Sequence, residues 1–244
     1  PTYGMYTVSA EINAVEIRTV KLTSEFDIDQ VATEGAWNEK TKLLFLCSPN
    51  NPSGNLLNKN KIESLLQRFS GLVIVDEAYI DFTDYAGFLP LLNQYNNLVV
   101  LQTLSKAWGL AGIRLGMCFS NVEVINVLNK IKPPYNINTL TQKIALESLE
   151  EAERKENWVN EIKIQREFLR KGLDKTKLVI KVFPSDANFL LTKVKNAKAI
   201  YERLVAKGII TRDRSNVVLC DNCLRITVGT PVENRILLDE LNKA

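Results

Sequence analysis

The stretch Thr103-Leu104-Ser105-Lys106-Ala107-Trp108-Gly109-Leu110-Ala111-Gly112-Ile113-Arg114-Leu115-Gly116 gathers an amine, a hydroxyl and a guanidinium behind an apolar run. A lysine leaving a buried strand is partly desolvated, which lowers its pKa and favours the neutral amine that attacks a carbonyl. Ser105 and Arg114 supply groups that hold a phosphate, one by a hydrogen bond and the other by a charge-assisted fork. Upstream, Leu72-Val73-Ile74-Val75 runs into Asp76-Glu77-Ala78-Tyr79. A carboxylate therefore sits at the carboxyl end of a buried strand, where α/β folds bind ligands. The turn-rich stretch Ser48-Pro49-Asn50-Asn51-Pro52-Ser53-Gly54 follows a third apolar run. Histidine is absent from the chain. That excludes Ser-His-Asp and Cys-His units and imidazole metal ligands, leaving catalysis to lysine, carboxylate, tyrosine or a cofactor.

Positioning these groups requires a scaffold, and short apolar runs supply its strands: Glu16 to Val20, Leu43 to Cys47, Leu72 to Val75, Leu98 to Leu101 and Arg114 to Phe119. Helical spacing separates several of them, as in Lys59 to Phe69, where Ile62, Leu65, Leu66 and Phe69 share a face. This alternation predicts a mainly parallel α/β sheet. A helix through Val124 to Leu128 is halted by Pro133 and Pro134, and a long charged helical stretch with a break runs from Thr139 to about Thr176. Strands are expected at Val179 to Phe183, Asn188 to Val194, Ile209 to Arg212 and Leu224 to Val228, with helices at Ala197 to Lys207 and Val232 to Asn242. That pattern suits a small α+β domain.

Bulk properties narrow the class further. With 244 residues, 45% of them apolar, the chain can bury a substantial core. Its net charge of +3 is too small for a nucleic-acid footprint. No apolar run is long enough to cross a bilayer and no signal-peptide pattern opens the chain, so the cytoplasm is the expected location. Four cysteines are too few and too irregular for a disulfide framework. Cys220-Asp221-Asn222-Cys223 has the spacing of a zinc or redox pair but no second ligand pair, so it is read as a turn and no metal is expected.

The Ser-Lys pair, the spacer ending in Ala-Gly, and the arginine and glycine after it resemble the cofactor-attachment pattern of class I/II aminotransferases, which depend on pyridoxal 5'-phosphate. Pro133-Pro134-Tyr135-Asn136-Ile137-Asn138, and Asn188-Phe189-Leu190-Leu191 after Ser185-Asp186-Ala187, match the histidinol-phosphate branch of that family. The matches extend from Pro1 to about Asn234. The resemblance implies an aspartate-aminotransferase-like fold (PLP fold type I). Its parts are a mainly parallel large domain over residues 1–137, incomplete at its amino end, a connecting helix over 138–176 and a small α+β domain over 177–244.

By the same resemblance Lys106 carries the cofactor and acts as the base, Asp76 pairs with the pyridine nitrogen, and Tyr79 and Asn51 bond the phenolic oxygen. Ser105 and Arg114 hold the phosphate. Tyr3, in Pro1-Thr2-Tyr3-Gly4-Met5-Tyr6, stacks on the cofactor face, with Tyr6 as a competing aromatic. Arg225, in Cys223-Leu224-Arg225-Ile226-Thr227-Val228-Gly229, binds the substrate anion. Arg212 is a second phosphate contact and Asn51 also faces the substrate. The implied reaction moves an amino group from histidinol phosphate to 2-oxoglutarate, giving imidazole-acetol phosphate and glutamate in histidine biosynthesis, on a homodimer.

Rival readings are an aromatic amino-acid aminotransferase, an amino-acid-phosphate decarboxylase, a cofactor-binding regulatory scaffold, for which no basic helix-turn-helix pattern is present, and an inactive fragment. The family carries roughly a hundred further residues at its amino end, a domain-scale piece. These include a helix start that cradles the phosphate, so weak cofactor binding is the expectation for this chain alone.

Overall fold

The computed structural model describes residues 1–243. In chain order its elements are α1 (Met5–Ile12), α2 (Gln30–Ala36), β1 (Leu43–Cys47), α3 (Lys59–Arg68), β2 (Leu72–Asp76), β3 (Leu98–Thr103), β4 (Gly116–Ser120), α4 (Val122–Ile131), α5 (Thr139–Glu150), α6 (Ala152–Asp174), β5 (Val179–Val182), β6 (Phe189–Val194), α7 (Ala197–Ala206), β7 (Arg212–Asp213), β8 (Cys223–Thr227) and α8 (Pro231–Asn242). No described helix is long and apolar enough to cross a membrane.

The first sheet has the order β1-β2-β3-β4, parallel through β3 and antiparallel at β4. Val73, Ile74 and Val75 are all buried, which is why β2 reads as a continuous apolar run. One face of the sheet takes Ile62, Leu65 and Leu66 of α3 against Val73, Val75, Leu98 and Val100. Each such side chain contributes about 1.5–3 kcal/mol by leaving water. Asn58 caps α3 by accepting from the backbone of Asn60 and Lys61, fixing where the Asn51 loop ends and the helix begins.

The second sheet, β5-β6-β8-β7, is antiparallel. Leu190, Leu224 and Ile226 face a helical layer formed by Leu169 and Leu173 of α6, Ile200 and Leu204 of α7, and Leu237 and Leu238 of α8. A capping box between Thr230 and Glu233, with Pro231 in the first turn, starts α8 directly after β8. The long helical stretch breaks at Glu151, between α5 and α6.

Tyr79, Phe82, Ala107, Val159, Ala187 and Phe189 form a seam between the two sheets. Arg166 spans it, donating to the carbonyls of Phe82 (3.2 Å) and Ala187 (2.8 Å). Gly54, at φ +88°, lies so close to the Ser185 segment that a Cβ would meet Ser185 Oγ at 2.4 Å. Its carbonyl accepts from the Asp186 amide at 2.7 Å, and Asp186 Oδ2 accepts from the Leu56 amide at 2.8 Å. Two turns distant in sequence are thus interlocked.

Several expectations change. Glu16 to Val20 is not a strand, because its branched residues find no neighbouring ladder and propensity alone does not make a sheet. Helices α1 and α2 are additional to those expected. The strand expected from Arg114 begins at Gly116, since Arg114 has a left-handed backbone (φ 57°, ψ 44°). The strand expected at Ile209 to Arg212 pairs only over Arg212–Asp213, because Ile209 turns back onto the second sheet's core.

Candidate active site

Lys106 is set between two buried anchors, Leu104 and Ala107. The Leu104 amide donates to Leu115 O, and the turn closes through Gly109 N to Lys106 O and Leu110 N to Leu104 O, both 3.0 Å. Gly109 supplies the positive φ of 67° that this turn requires. The lysine is open to solvent on one side, and its Nζ lies 5.2 Å from the Tyr79 ring centroid. Desolvation is the main reason its pKa falls below the ordinary lysine value; Arg225 and Arg114 push the same way, while Asp76 opposes them.

Asp76 ends β2, flanked in register by Cys47 of β1 and Leu101 of β3. Its Oδ1 accepts from the Ala78 amide at 3.0 Å and its Oδ2 from the Tyr6 hydroxyl at 2.5 Å. Tyr6 stacks on Phe45 (4.9 Å between centroids, 29° between planes) and meets Tyr3 edge-on at 5.6 Å. Burial, with the thiol of Cys47 and the carboxylate of Asp76 nearby, raises the Tyr6 pKa, so this hydroxyl stays a donor. The competition between the tyrosines thus has a structural distinction: Tyr6 holds Asp76, while Tyr3 lies outward and 44% exposed.

Tyr79 is buried edge-on against Phe189 at 5.2 Å. Burial pushes its phenol up to about 12, partly offset by Arg225, which leaves a neutral donor near Lys106 at ordinary pH. Asn51 Oδ1 accepts from Arg225 Nη1 at 2.8 Å, joining the turn-rich loop of the first sheet to a strand of the second. Arg225 stacks on Phe189 at 4.9 Å, and its Nε is buried without a protein acceptor. Arg212 is its cross-strand neighbour. Neither arginine is in an ion pair among the described residues.

Ser105 and Arg114 bracket the lysine turn. The Ser105 hydroxyl accepts from Thr103 Oγ1 at 2.9 Å, and Arg114 donates to Ala111 O at 2.9 Å with no carboxylate partner among the described residues. Lys106, Asp76, Tyr79, Asn51 and Arg225 are therefore brought into one cluster, with Arg114 felt by Lys106 from the exposed end of its turn, Tyr3 exposed beside Tyr6, and Arg212 across the strand pair from Arg225. Sequence reasoning missed Tyr6 as the Asp76 partner. Its place three residues after Tyr3, one helical turn on, was the available signal. Cys220 and Cys223 are buried free thiols, and no metal-binding cluster occurs among the described residues.

This cluster sits in a chain whose residues 1–241 match the family Aminotransferase class I and II. The chain is 55% identical over 241 residues to a histidinol-phosphate aminotransferase of Cytophaga hutchinsonii, covering 99% of this chain and 69% of that protein. A Parabacteroides distasonis protein of the same name is 54% identical over 241 residues, with 99% and 70% covered. Among solved structures, the histidinol-phosphate aminotransferase from Clostridium acetobutylicum superposes with a TM-score of 0.93 at 26% identity, covering 100% of this chain and 75% of that one.

Proposed function

The chain belongs to the class I and II aminotransferase family, and from that membership we propose that it transaminates histidinol phosphate with 2-oxoglutarate, using pyridoxal 5'-phosphate attached at Lys106. The observation that carries the reading is the placement of a lysine of lowered pKa between Asp76, Tyr79 and Arg225. The 54–55% identity to two histidinol-phosphate aminotransferases selects the substrate.

The residues fit the cofactor group by group. An aldehyde needs an unprotonated amine, and Lys106 is the one whose environment favours it. A pyridinium nitrogen needs a carboxylate; Asp76 is held by Tyr6 and Ala78 yet keeps acceptor capacity. A phenolic oxygen needs donors, and Tyr79 stays protonated while Asn51, its carbonyl turned to Arg225, has its NH2 free to donate. Arg114 and Ser105 are assigned to the phosphate and Tyr3 to the ring face.

When bound, pyridoxal phosphate supplies an electron sink that makes the proton on the amino-bearing substrate carbon acidic. Lys106 Nζ removes that proton, and its lowered basicity keeps a useful fraction ready as the free base. Arg225, a half-buried side chain whose buried Nε has no protein acceptor, takes the substrate anion and orients the carbon toward Lys106. Arg212 extends the same cationic edge. The catalytic unit is assigned as a cytoplasmic homodimer.

The test is the purified protein supplied with pyridoxal phosphate, followed by borohydride reduction and peptide mapping. The modified residue is expected to be Lys106, and Lys106→Ala is expected to abolish both labelling and amino transfer from histidinol phosphate. Labelling at another lysine, or normal turnover by Lys106→Ala, refutes the assignment.

A further inference from the structure

The second sheet carries three arginines where two were anticipated. Arg212 pairs with Arg225 and Asp213 with Leu224. The Arg214 amide then donates to Cys223 O at 2.8 Å, carrying the ladder one residue past β7. Because side chains alternate along a strand, Arg212, Arg214 and Arg225 share one face. It is the face of Leu191, which pairs with Arg225, opposite the helical layer that takes Leu190 and Leu224. Asp213 is on the other side, where its carboxylate accepts from the amide and hydroxyl of Ser215.

No ion pair engages any of the three among the described residues. Like charges facing each other across strands cost stability, so a native sheet that keeps three uncompensated guanidiniums on one face is arranged for an external counter-charge. Arg225 has the buried, unpaired Nε and uses Nη1 on Asn51. Burial is the main cause of its lowered pKa, and Arg214 and Arg212 add to it, which places both close enough to be felt. Arg214 is itself half-buried.

We propose that Arg214 is the third arm of an anion subsite with Arg225 and Arg212, and that it selects a phosphate monoester over a carboxylate. A carboxylate carries one charge and is satisfied by one bidentate arginine. A phosphate monoester carries nearly two charges at neutral pH and offers three terminal oxygens, which matches three guanidiniums on one face. The proposal rests on the reading that Arg225 receives the substrate anion and adds the residue that discriminates between the two substrates of the reaction.

The experiment compares Arg214→Gln, Arg225→Gln and the surface control Arg235→Gln in the holoenzyme. It measures KM for histidinol phosphate and for 2-oxoglutarate and, independently of turnover, the affinity for inorganic phosphate by calorimetry. Loss of one charge-assisted contact predicts about a tenfold rise in the histidinol phosphate KM and a similar loss of phosphate affinity for Arg214→Gln, with the 2-oxoglutarate KM within about twofold of the parent. Arg235→Gln is expected to match the parent. The proposal is overturned if Arg214→Gln behaves as Arg235→Gln toward phosphate, or if it raises both KM values equally. If Arg225→Gln leaves both the histidinol phosphate KM and phosphate affinity intact, the underlying substrate-site reading fails instead.

Discussion

Replacing Tyr6 by phenylalanine removes one atom and one hydrogen bond, the 2.5 Å contact to Asp76 Oδ2, while leaving the ring in place to stack on Phe45. A hydrogen bond to a charged group is worth about 1.5–3 kcal/mol net. The contact is only partly buried and water can replace some of the lost interaction, so about 2 kcal/mol is expected for Tyr6→Phe. The same change in an Asp76→Ala background should cost close to nothing, giving a coupling energy of about 1.5–2 kcal/mol. Urea unfolding of the parent, the two single variants and the double variant, without added cofactor and at neutral pH, measures each corner of this cycle. A Tyr6→Phe cost that is the same with and without the Asp76 carboxylate refutes the reasoning. It would mean that the hydroxyl is not bonded to Asp76 in solution, or that the bond exchanges evenly with water.

Lys106→Met should raise the melting temperature most at neutral and acidic pH. The folded chain holds that proton less tightly than the unfolded one, so the penalty is complete below the lowered pKa and fades as pH approaches the ordinary value of 10.5; melts across pH should show the gain shrinking in alkali. Gly54→Ala must adopt a left-handed backbone, costing about 1–2 kcal/mol, and also displace Ser185, costing about 1–3 kcal/mol. Urea titration should therefore read a loss of about 2–5 kcal/mol. Of the four thiols only Cys118 is half-buried, and burial pushes Cys47 and Cys223 up to about 12, so Ellman's reagent should label Cys118 first and reach the others only on unfolding.

The legible parts of this fold were those whose signals are local and mutually consistent. Leu72 to Val75 announced a strand because it is buried on both faces, and the lysine turn announced itself because a dozen residues of mixed chemistry serve one closure of the chain. Helix α1 was not legible: it buries none of its residues and begins at Gly4 without a side-chain cap, so it lacks both an apolar stripe and a start signal. Ile17, Thr19 and Val20 gave a false strand because branched residues mark a willingness to pair and do not supply the partner. The Tyr6–Asp76 bond spans seventy positions and the Arg225–Asn51 bond 174; the first arises from a helix laid against the first sheet and the second from the two sheets meeting, which no window of sequence contains. Arg214 falls between these cases, since its face follows from simple alternation once the β7–β8 register is known.

The bond from Arg225 to Asn51 gives the cluster an internal correlation. On the proposed assignment, a single amide has its oxygen committed to the guanidinium that receives the substrate anion, and its nitrogen is the group assigned to the cofactor's phenolic oxygen. A ligand that draws Arg225 away reorients or loosens that amide, and a group held by the amide nitrogen steadies the arginine in turn. By thermodynamic reciprocity, whatever factor one ligand imposes on the affinity of the other through this bond is returned in equal measure. On that assignment the two binding events are coupled through one side chain, and Asn51→Ala should uncouple the two equilibria as well as weaken each.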